Sequence, residues 1–385
     1  MLTGQVLDGR FLLQGVIGQG SFCTVYQATD QTRLKPVAVK VLKDCQMQSS
    51  FLVEVNAMKA LRHSAGIPRI YAYGTEGKRR YFAMELMKTD VMKLFRASGP
   101  LHVCLLVQVA KETIQALAKV HAAGLLHLDL KPDNLALRLK HGQISCFLVD
   151  FGLSERYSLN GHHWKYSESY QFSGNATFAS SNVLTGRRPS RRDDLESLIY
   201  VLVYLAHASL PWNLFDSACY SLRKAEIACE KEKLPSRNVC KGLPAAFAEI
   251  LDLVKGLRFE EKPDYEEYVR MLERESVGKQ WDEAQEWRKL LLLGKFAENQ
   301  PALLRSLREQ AETAEPVTAE QQRSMKRRLT KGLSPASALQ RHFAGRRSRR
   351  DSTLKSAPVV MTERVRNTIK LLRAKTLEQE TADWL

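Results

Sequence analysis

Two short polar runs near the middle of the chain restrict its fold and its chemistry more than any other feature. Residues 127–134 read HLDLKPDN, and Asp150-Phe151-Gly152 follows sixteen residues later. Two carboxylates and an amide at this spacing can orient a hydroxyl group and hold a divalent cation beside a phosphate. We interpret Asp129 as the group that accepts the proton of an attacking hydroxyl, and Asn134 and Asp150 as Mg²⁺ ligands.

Three further features could bind the phosphates of a nucleotide. Lys131, two residues after Asp129, would lie beside the γ-phosphate. Gly18-Gln19-Gly20-Ser21 lies between the first two predicted strands, where small residues let backbone N–H groups approach phosphates, although glycine-rich turns also join hairpins in many proteins. The next strand ends in Lys40, whose burial requires a partner charge, and Glu54 on the following helix can supply it. Taken alone, Lys40 and Glu54 are equally consistent with two solvated surface charges.

Hydrophobic periodicity divides the chain into a β-rich front part and a helical second part. Apolar, β-branched runs predict strands at residues 11–17, 22–28, 37–42 and 81–86, with one helix at 50–63. Helical spacing predicts later helices at residues 101–123, 193–206, 244–257 and 265–274. We predict an α+β chain with a first lobe at residues 1–88, a mainly helical second lobe at 89–275 and a basic extension at 276–385.

Composition narrows the class of protein. The chain has a formal net charge of +16, and residues 276–385 hold 22 Lys and Arg against 13 Asp and Glu. This balance favours acidic partners or substrates. The sequence has no apolar run as long as a membrane-spanning helix, and its amino terminus lacks the profile of a secretory signal. Seven cysteines without metal-binding spacing indicate free thiols, so we expect a cytoplasmic or nuclear protein.

The motifs in this order resemble the eukaryotic protein kinase family, and further stretches are similar to its casein kinase 1 group. The resemblance covers about residues 9–275. The stretches typical of the group read GIPRIY, SRRDDLESL, LPW, CKGLP and RFEEKPDY, and they begin at Gly66, Ser190, Leu210, Cys240 and Arg258. The sequence FASSN at residues 178–182 stands where most kinases have Ala-Pro-Glu, which is itself a mark of the group.

The resemblance implies a bilobal protein-kinase fold and a serine/threonine kinase that transfers the γ-phosphoryl group of Mg-ATP to protein hydroxyls. The implied catalytic residues are Lys40, Glu54, Asp129 and Lys131, and the implied metal ligands are Asn134 and Asp150. Asp194 would hydrogen-bond to the backbone of the catalytic loop, and His127 would be a packed core histidine. The alternative is a pseudokinase scaffold that binds partners through the same fold and the basic extension.

The resemblance also implies how the nucleotide is held. Met84 would lie beside the adenine, and the backbone of Glu85 and of Met87 would hydrogen-bond to the base. Ala38 and Ala136 would enclose the ring from its two faces. The whole set implied for ATP binding is Ile17, Gly18, Gln19, Gly20, Ser21, Val25, Ala38, Lys40, Met84, Glu85, Met87 and Ala136.

Four positions depart from the family pattern. Leu128 replaces the arginine that pairs with an activation-loop phosphate in many kinases, so we expect an enzyme that needs no such phosphorylation. Thr177 and Tyr170 stand where the group has an arginine and a lysine, which calls its pocket for a priming phosphate into question. Cys23 replaces the third glycine of the nucleotide loop and should stiffen it. Four arginines could still attract acidic peptides: Arg187, Arg188, Arg191 and Arg192.

The basic extension carries no recognised motif, and several interpretations stay open. It could be a solvated tail with transient helices. Basic clusters at residues 326–328 and 346–350 are compatible with a two-part nuclear import signal or a phosphate-binding patch. Residues 362–377 have apolar side chains at helical spacing among basic ones, as in a helix that binds a partner, an anionic membrane surface or the kinase domain itself. An acidic partner, nucleic acid and a membrane surface are therefore its candidate ligands, and we expect a monomer that acts on protein substrates.

Overall fold

The β-branched runs near the amino terminus form a six-stranded antiparallel sheet in the order β1-β2-β3-β4-β6-β5. Successive side chains of β4 point to opposite faces of the sheet. Val37, Val39 and Val41 pack into the core of the first lobe. Ala38 and Lys40 therefore lie on the other face. The elements of this lobe are β1 (Val6–Leu7), β2 (Phe11–Gln19), β3 (Cys23–Asp30), β4 (Lys35–Leu42), α1 (Gln48–Ala60), β5 (Ile70–Glu76) and β6 (Arg79–Glu85).

The second lobe is mainly helical, with short strands near its junction to the first. Its strands are β7 (Thr89–Asp90), β8 (Leu125–Leu126), β9 (Leu135–Lys140), β10 (Gln143–Leu148), β11 (Glu155–Arg156), β12 (Ser158–Leu159) and β13 (His162–His163). Its helices are α2 (Val91–Ser98), α3 (Val103–Ala122), α4 (Ser181–Leu184), α5 (Arg191–His207), α6 (Tyr220–Lys233), α7 (Ser236–Val239), α8 (Ala245–Gly256), α9 (Tyr265–Arg274) and α10 (Glu283–Asn299). The predicted bilobal α+β architecture is confirmed.

Helices α3 and α5 form the centre of the second lobe, and both are buried along most of their length. In α5 every residue from Asp193 to Val203 is buried. A capping box begins this helix, in which Ser190 N donates to Asp193 Oδ2 at 2.7 Å. The start of α5 therefore has a fixed position from which its acidic residues can reach neighbouring loops.

The computed structural model describes residues 2–20, 23–43, 48–141, 143–159, 161–214, 220–277, 279 and 282–299. Residues Met1–Lys295 form one compact unit, which extends past the boundary drawn at residue 275. Trp287 and Leu290 on α10 belong to the same hydrophobic core as α3. The five described cysteines are free thiols, and none of the described helices is long and apolar enough to cross a membrane. The basic clusters and the predicted helix at 362–377 lie outside the described residues.

Candidate active site

Lys40, Glu54 and Asp150 form one hydrogen-bonded cluster although they lie on three separate segments. Lys40 Nζ donates to Glu54 Oε1 and Oε2 at 2.9 and 2.7 Å, and to Asp150 Oδ1 at 3.0 Å. The exposed fraction of the side chain is 13% for Lys40 and 4% for Glu54. This burial excludes the alternative of two solvated surface charges.

Burial and charge together set the protonation of this cluster. Burial alone would lower the pKa of Lys40, but the charges of Glu54 and Asp150 outweigh it and raise that pKa above its usual value. Burial raises the pKa of Glu54 to about 7, because the charge of Lys40 offsets only part of the desolvation. Burial would also raise the pKa of Asp150, but the charge of Lys40 holds it below its usual value, so this carboxylate is ionised at neutral pH.

Ser50 adds a contact that the sequence did not predict. Its Oγ donates to Gly152 O at 2.7 Å, which ties the start of α1 to the segment that follows Asp150. A Cβ built on Gly152 would lie 3.0 Å from Ser50 Oγ and 3.5 Å from Asp150 Oδ1, so glycine permits this close approach. Serine is common at helix starts for reasons of capping, and its presence there carries no signal of a distant partner.

The loop after β8 brings Asp129, Lys131 and Asn134 together. Lys131 Nζ donates to Asp129 Oδ2 at 2.5 Å, and Asn134 Nδ2 donates to Asp129 O at 2.7 Å and to its Oδ2 at 3.0 Å. A single 3-10 turn, Pro132–Asn134, folds the amide back towards the carboxylate. Among the described residues these side-chain bonds reach Oδ2, which leaves Asp129 Oδ1 for an incoming hydroxyl.

Asp194 and His127 hold the backbone of this loop, as predicted. Asp194 Oδ2 accepts from His127 N at 2.8 Å, and its Oδ1 accepts from Leu128 N at 2.9 Å. The buried His127 ring lies 3.1 Å through Nε2 from Val149 O, and its centroid lies 4.9 Å from that of Phe151. The histidine is therefore a packing and hydrogen-bonding residue.

Leu128 and Asp150 both adopt the left-handed backbone conformation, with φ of 64° and 65°. This region is uncommon for residues other than glycine and costs on the order of 1–3 kcal/mol per residue, so it persists only where the surroundings fix it. The surroundings here are the bond from Leu128 N to Asp194 and the bond from Lys40 to Asp150. Leu128 directly precedes the predicted base Asp129, and Asp150 is itself a predicted metal ligand.

Asn134 and Asp150 meet the requirements of Mg²⁺. Val149 N donates to Asn134 O at 3.0 Å, so Asp150 directly follows a residue that is bonded to Asn134. Carboxylate and amide oxygens are hard ligands, and Mg²⁺ is usually held by one or two of them together with phosphate oxygens. Since the Asn134 amide nitrogen is taken by Asp129, its amide oxygen remains for a cation, and the Asp150 side chain is 41% exposed. The described part of the chain contains no group of three or more His, Cys, Asp or Glu that could hold a metal without the nucleotide.

Strand pairing brings together two pairs of the residues predicted to bind the nucleotide and places a further one in the second lobe. Gly18 on β2 lies opposite Val25 on β3, and a Cβ on Gly18 would lie 3.6 Å from Val25 Cβ. Met84 on β6 lies opposite Ala38 on β4. Ala136 lies on β9, which pairs with β7 shortly after the first lobe ends. The set therefore has members on both lobes.

The connection between the lobes adds a constraint on base binding. Glu85 N donates to Arg69 O at 2.8 Å, so only the carbonyl oxygen of Glu85 could serve the base. Met84, Glu85 and Met87 are half-buried, as residues at the edge of a cleft would be. Ser21 lies outside the described residues, and the nucleotide-binding roles of the whole set stay predictions.

At the position where the resemblance implies a lysine, the chain has a tyrosine whose hydroxyl bonds to a carboxylate. Tyr170 Oη donates to Glu155 Oε1 at 2.7 Å. Burial and this bond raise the pKa of the Tyr170 hydroxyl above its usual value, so it stays protonated. A phosphate brought to this point would meet the carboxylate of Glu155 rather than a cation.

The surroundings of Cys23, and of Arg191 and Arg192 in the stretch typical of the group, bear on the roles predicted for them. Burial raises the pKa of the Cys23 thiol, which disfavours the reactive thiolate form. Arg191 Nη2 donates to Glu260 O at 2.5 Å and Arg192 donates to Leu257 O, so both guanidinium groups hold backbone of the second lobe.

Comparison with known protein families matches residues 11–260 to the protein kinase domain. The matched stretch spans both lobes and contains the cluster around Lys40, the loop around Asp129 and the ligand pair Asn134 and Asp150. Domains of this kind transfer phosphoryl groups to proteins and generally use ATP and Mg²⁺. The match covers more than half of the chain, and the chain therefore belongs to the protein kinase family.

Proposed function

We propose that this protein is a serine/threonine kinase of the casein kinase 1 type that transfers the γ-phosphoryl group of Mg-ATP to protein hydroxyls. The observation that carries the proposal is the simultaneous bonding of Lys40 to Glu54 and to Asp150. Kinase catalysis needs the strand lysine, the helix glutamate and the metal-binding aspartate in place together. The unmodified chain already brings these three groups together.

Each residue of the site then has one task. Asp129 accepts a hydrogen bond from the acceptor hydroxyl and directs its oxygen towards the phosphorus. Lys131 holds the other oxygen of Asp129 and adds positive charge where the phosphoryl oxygens gain negative charge. Lys40 orients the α- and β-phosphates, and Glu54 fixes the lysine. When bound, Mg-ATP supplies the phosphoryl group and a cation that offsets the charge on its oxygens.

The assignment to serine and threonine acceptors rests on the loop around Asp129. Lys131 follows the base by two residues and bonds to it, which leaves the acceptor face to a short aliphatic hydroxyl. The stretches at Gly66, Ser190 and Arg258 support the casein kinase 1 type, and Asp194 within the second of them holds the loop backbone.

Two contacts support our proposal that the enzyme needs no activation-loop phosphorylation. Leu128 has no charge to pair with a phosphate, yet its backbone is fixed by Asp194. The bond from Tyr170 to Glu155 links two parts of the segment that follows Asp150, and it involves no phosphate. Both contacts are present in the unmodified chain.

The proposal extends to substrates and partners. Arg187 and Arg188 would attract acidic peptides, since Arg191 and Arg192 hold backbone carbonyls whereas Arg187 pairs with Glu232 at an exposed position. The basic extension would bind an acidic partner, nucleic acid or an anionic membrane surface, and the protein would act as a monomer in the cytoplasm or nucleus.

The first test is transfer of labelled γ-phosphate from Mg-ATP to casein by the full-length protein. Asp129→Asn is the matched control, because it keeps the shape of the side chain and removes its charge. We expect transfer by the wild-type protein, label on serine and threonine only, and no transfer by the variant.

Two results would contradict the proposal. Label on tyrosine would overturn the serine/threonine assignment. Absence of transfer by both proteins, together with binding of Mg-ATP, would favour a scaffold that keeps the fold without the reaction.

A further inference from the structure

Lys231 is a fully buried lysine that the site described above does not use. It lies on α6, its exposed fraction is 0%, and its Nζ donates to the backbone carbonyls of Ala176, Thr177 and Ala179 at 2.9, 3.0 and 2.6 Å. The same nitrogen lies 4.7 Å from the ring centroid of Trp212 and 4.9 Å from that of Tyr200.

This environment requires a charged ammonium group although burial disfavours it. An ammonium has three N–H donors whereas a neutral amine has two, and three carbonyls accept from Lys231. The faces of Trp212 and Tyr200 add cation–π attraction. Among the described residues no carboxylate lies within ion-pair distance of Lys231. The charge of the buried Glu196 favours the ammonium from further away, and the direct contacts are with carbonyl and ring dipoles.

Such a group is an expensive way to fill a core. Burial of an ammonium without a counter-ion is strongly unfavourable, and an apolar side chain such as methionine would fill the same space at lower cost. A methionine cannot donate to carbonyls. The lysine is therefore explained by the backbone that it holds.

The backbone in question is the segment at residues 176–181, which has no regular secondary structure before α4. Trp212 Nε1 donates to Thr177 O at 2.8 Å, from the same side as Lys231. Glu196 Oε1 accepts from Ser181 N at 2.8 Å, which fixes the other end of the segment. Lys231 thus contributes three of the bonds that hold the inner side of 176–181.

The outer side of this stretch of chain adjoins the catalytic loop. A Cβ built on Gly174 would lie 3.6 Å from Leu128 O, one residue before Asp129. Residues 173–175 are exposed, and residues 176–177 are half-buried. A peptide that offers a hydroxyl to Asp129 would therefore lie against residues 174–177.

We propose that Lys231 is a positioning residue, which holds residues 176–179 in the shape that receives the acceptor peptide. The proposal rests on the proposed function in that it takes Asp129 as the base for a peptide hydroxyl. Loss of Lys231 should therefore weaken binding of the acceptor peptide and leave nucleotide binding unchanged, because the residues predicted to bind the nucleotide lie on other elements.

The test compares full-length wild-type protein with Lys231→Met and with Lys233→Met, an exposed lysine on the same helix as a matched control. We expect Lys231→Met to raise the KM for casein about tenfold or more, while the KM for ATP and the slow transfer of phosphate to water stay within about twofold. Lys233→Met should leave all three unchanged. Hydrogen exchange at the amides of residues 176–181 should accelerate only in Lys231→Met.

In a folded Lys231→Met, an equal change in every kinetic constant, or unchanged kinetics and exchange, would overturn the proposal. Trp212→Phe keeps the ring and removes the donor to Thr177 O, so it provides a second variant if Lys231→Met does not fold. It should raise the KM for casein to a smaller extent, and no change would count against the proposal. Inactive wild-type protein with faster exchange in Lys231→Met would contradict the proposed function while supporting the positioning role.

Discussion

At the scale of single residues, the site depends on charges that the protein forces into low-dielectric surroundings. Glu54 is the clearest case, because its carboxylate is buried and its charge is sustained only by Lys40. The residue types at the site were predictable from the motifs around Lys40 and Asp129. The left-handed backbone of Leu128 was not, since leucine has no preference for it and the cause lies in Asp194, 66 residues further along the chain.

The raised pKa of Glu54 predicts a pH dependence of transfer. Below pH about 7 the carboxyl takes up a proton and the ion pair with Lys40 weakens, so kcat/KM should fall as the pH decreases from about 8 to about 6. The contribution of Glu54 to stability has the opposite sign, because its folded pKa lies above its ordinary 4.5: that contribution is complete below 4.5 and lost as the pH rises through about 7.

Rate profiles of wild-type protein and Glu54→Gln over this pH range would check the prediction. The variant should be slower and should lose this step in its profile. A step of equal size in Glu54→Gln would assign the titration to another group.

At the scale of elements, α5 acts as the support of the catalytic loop. Its capping box fixes its first turn, and from there Asp194 accepts from two backbone N–H groups of the loop and lies 2.9 Å from His121 Nε2. A rigid helix start thus determines the conformation of a loop that has little regular structure of its own.

Asp194→Asn should lower the free energy of unfolding by about 2–4 kcal/mol. The new amide nitrogen would face an N–H group where a carboxylate oxygen now accepts a bond, and two donors cannot bond to each other. It should also lower kcat, since Leu128 and Asp129 would no longer be fixed. Urea denaturation and steady-state kinetics measure the two effects, and Asp252→Asn on the exposed side of α8 is the control. Unchanged kcat in a destabilised Asp194→Asn would show that the loop keeps its shape without this support.

The elements that the sequence predicted are those with a continuous apolar pattern. Helix α3 is buried at positions along its whole length, and its periodicity identified it. Helix α6 was missed because only Ile227, Ala228 and Lys231 are buried, and a lysine counts as a surface residue in any such pattern. Strand β5 was also missed, since its residues are half-buried or exposed.

At the scale of the whole molecule, the packed structure continues beyond the stretch that resembles the kinase family. Trp287 on α10 has an exposed fraction of 2%, and its Nε1 donates to Gln108 Oε1 on α3 at 2.7 Å. The motifs that resemble the family end before this point. The boundary predicted from the sequence at residue 275 therefore marks the end of that resemblance. Burial places the boundary of the folded domain further along the chain, because Trp287 and Leu290 still belong to the hydrophobic core.

Trp287→Ala should lower the free energy of unfolding by about 3–5 kcal/mol, because it removes a large buried side chain and leaves Gln108 without this donor. Arg288→Ala, at the exposed neighbouring position, should have little effect. A chain ending at residue 275 should be destabilised at least as much as Trp287→Ala, whereas a chain ending at residue 299 should melt with the full-length protein. Equal thermal stability of the two shortened chains would contradict this role of α10.

The contact between Trp287 and Gln108 also determines what a shortened transcript would lose. Gln108 Nε2 donates to Ile144 O on β10 at 2.9 Å, and β10 pairs with β9 so that Phe147 lies opposite Ala136, a residue predicted to bind the nucleotide. The last described helix is thus connected through one glutamine to the surface on which adenine is predicted to rest. A shortened transcript that stopped before codon 287 would encode every predicted catalytic motif and still yield a chain in which Gln108, which holds β10, lacks its bond from Trp287.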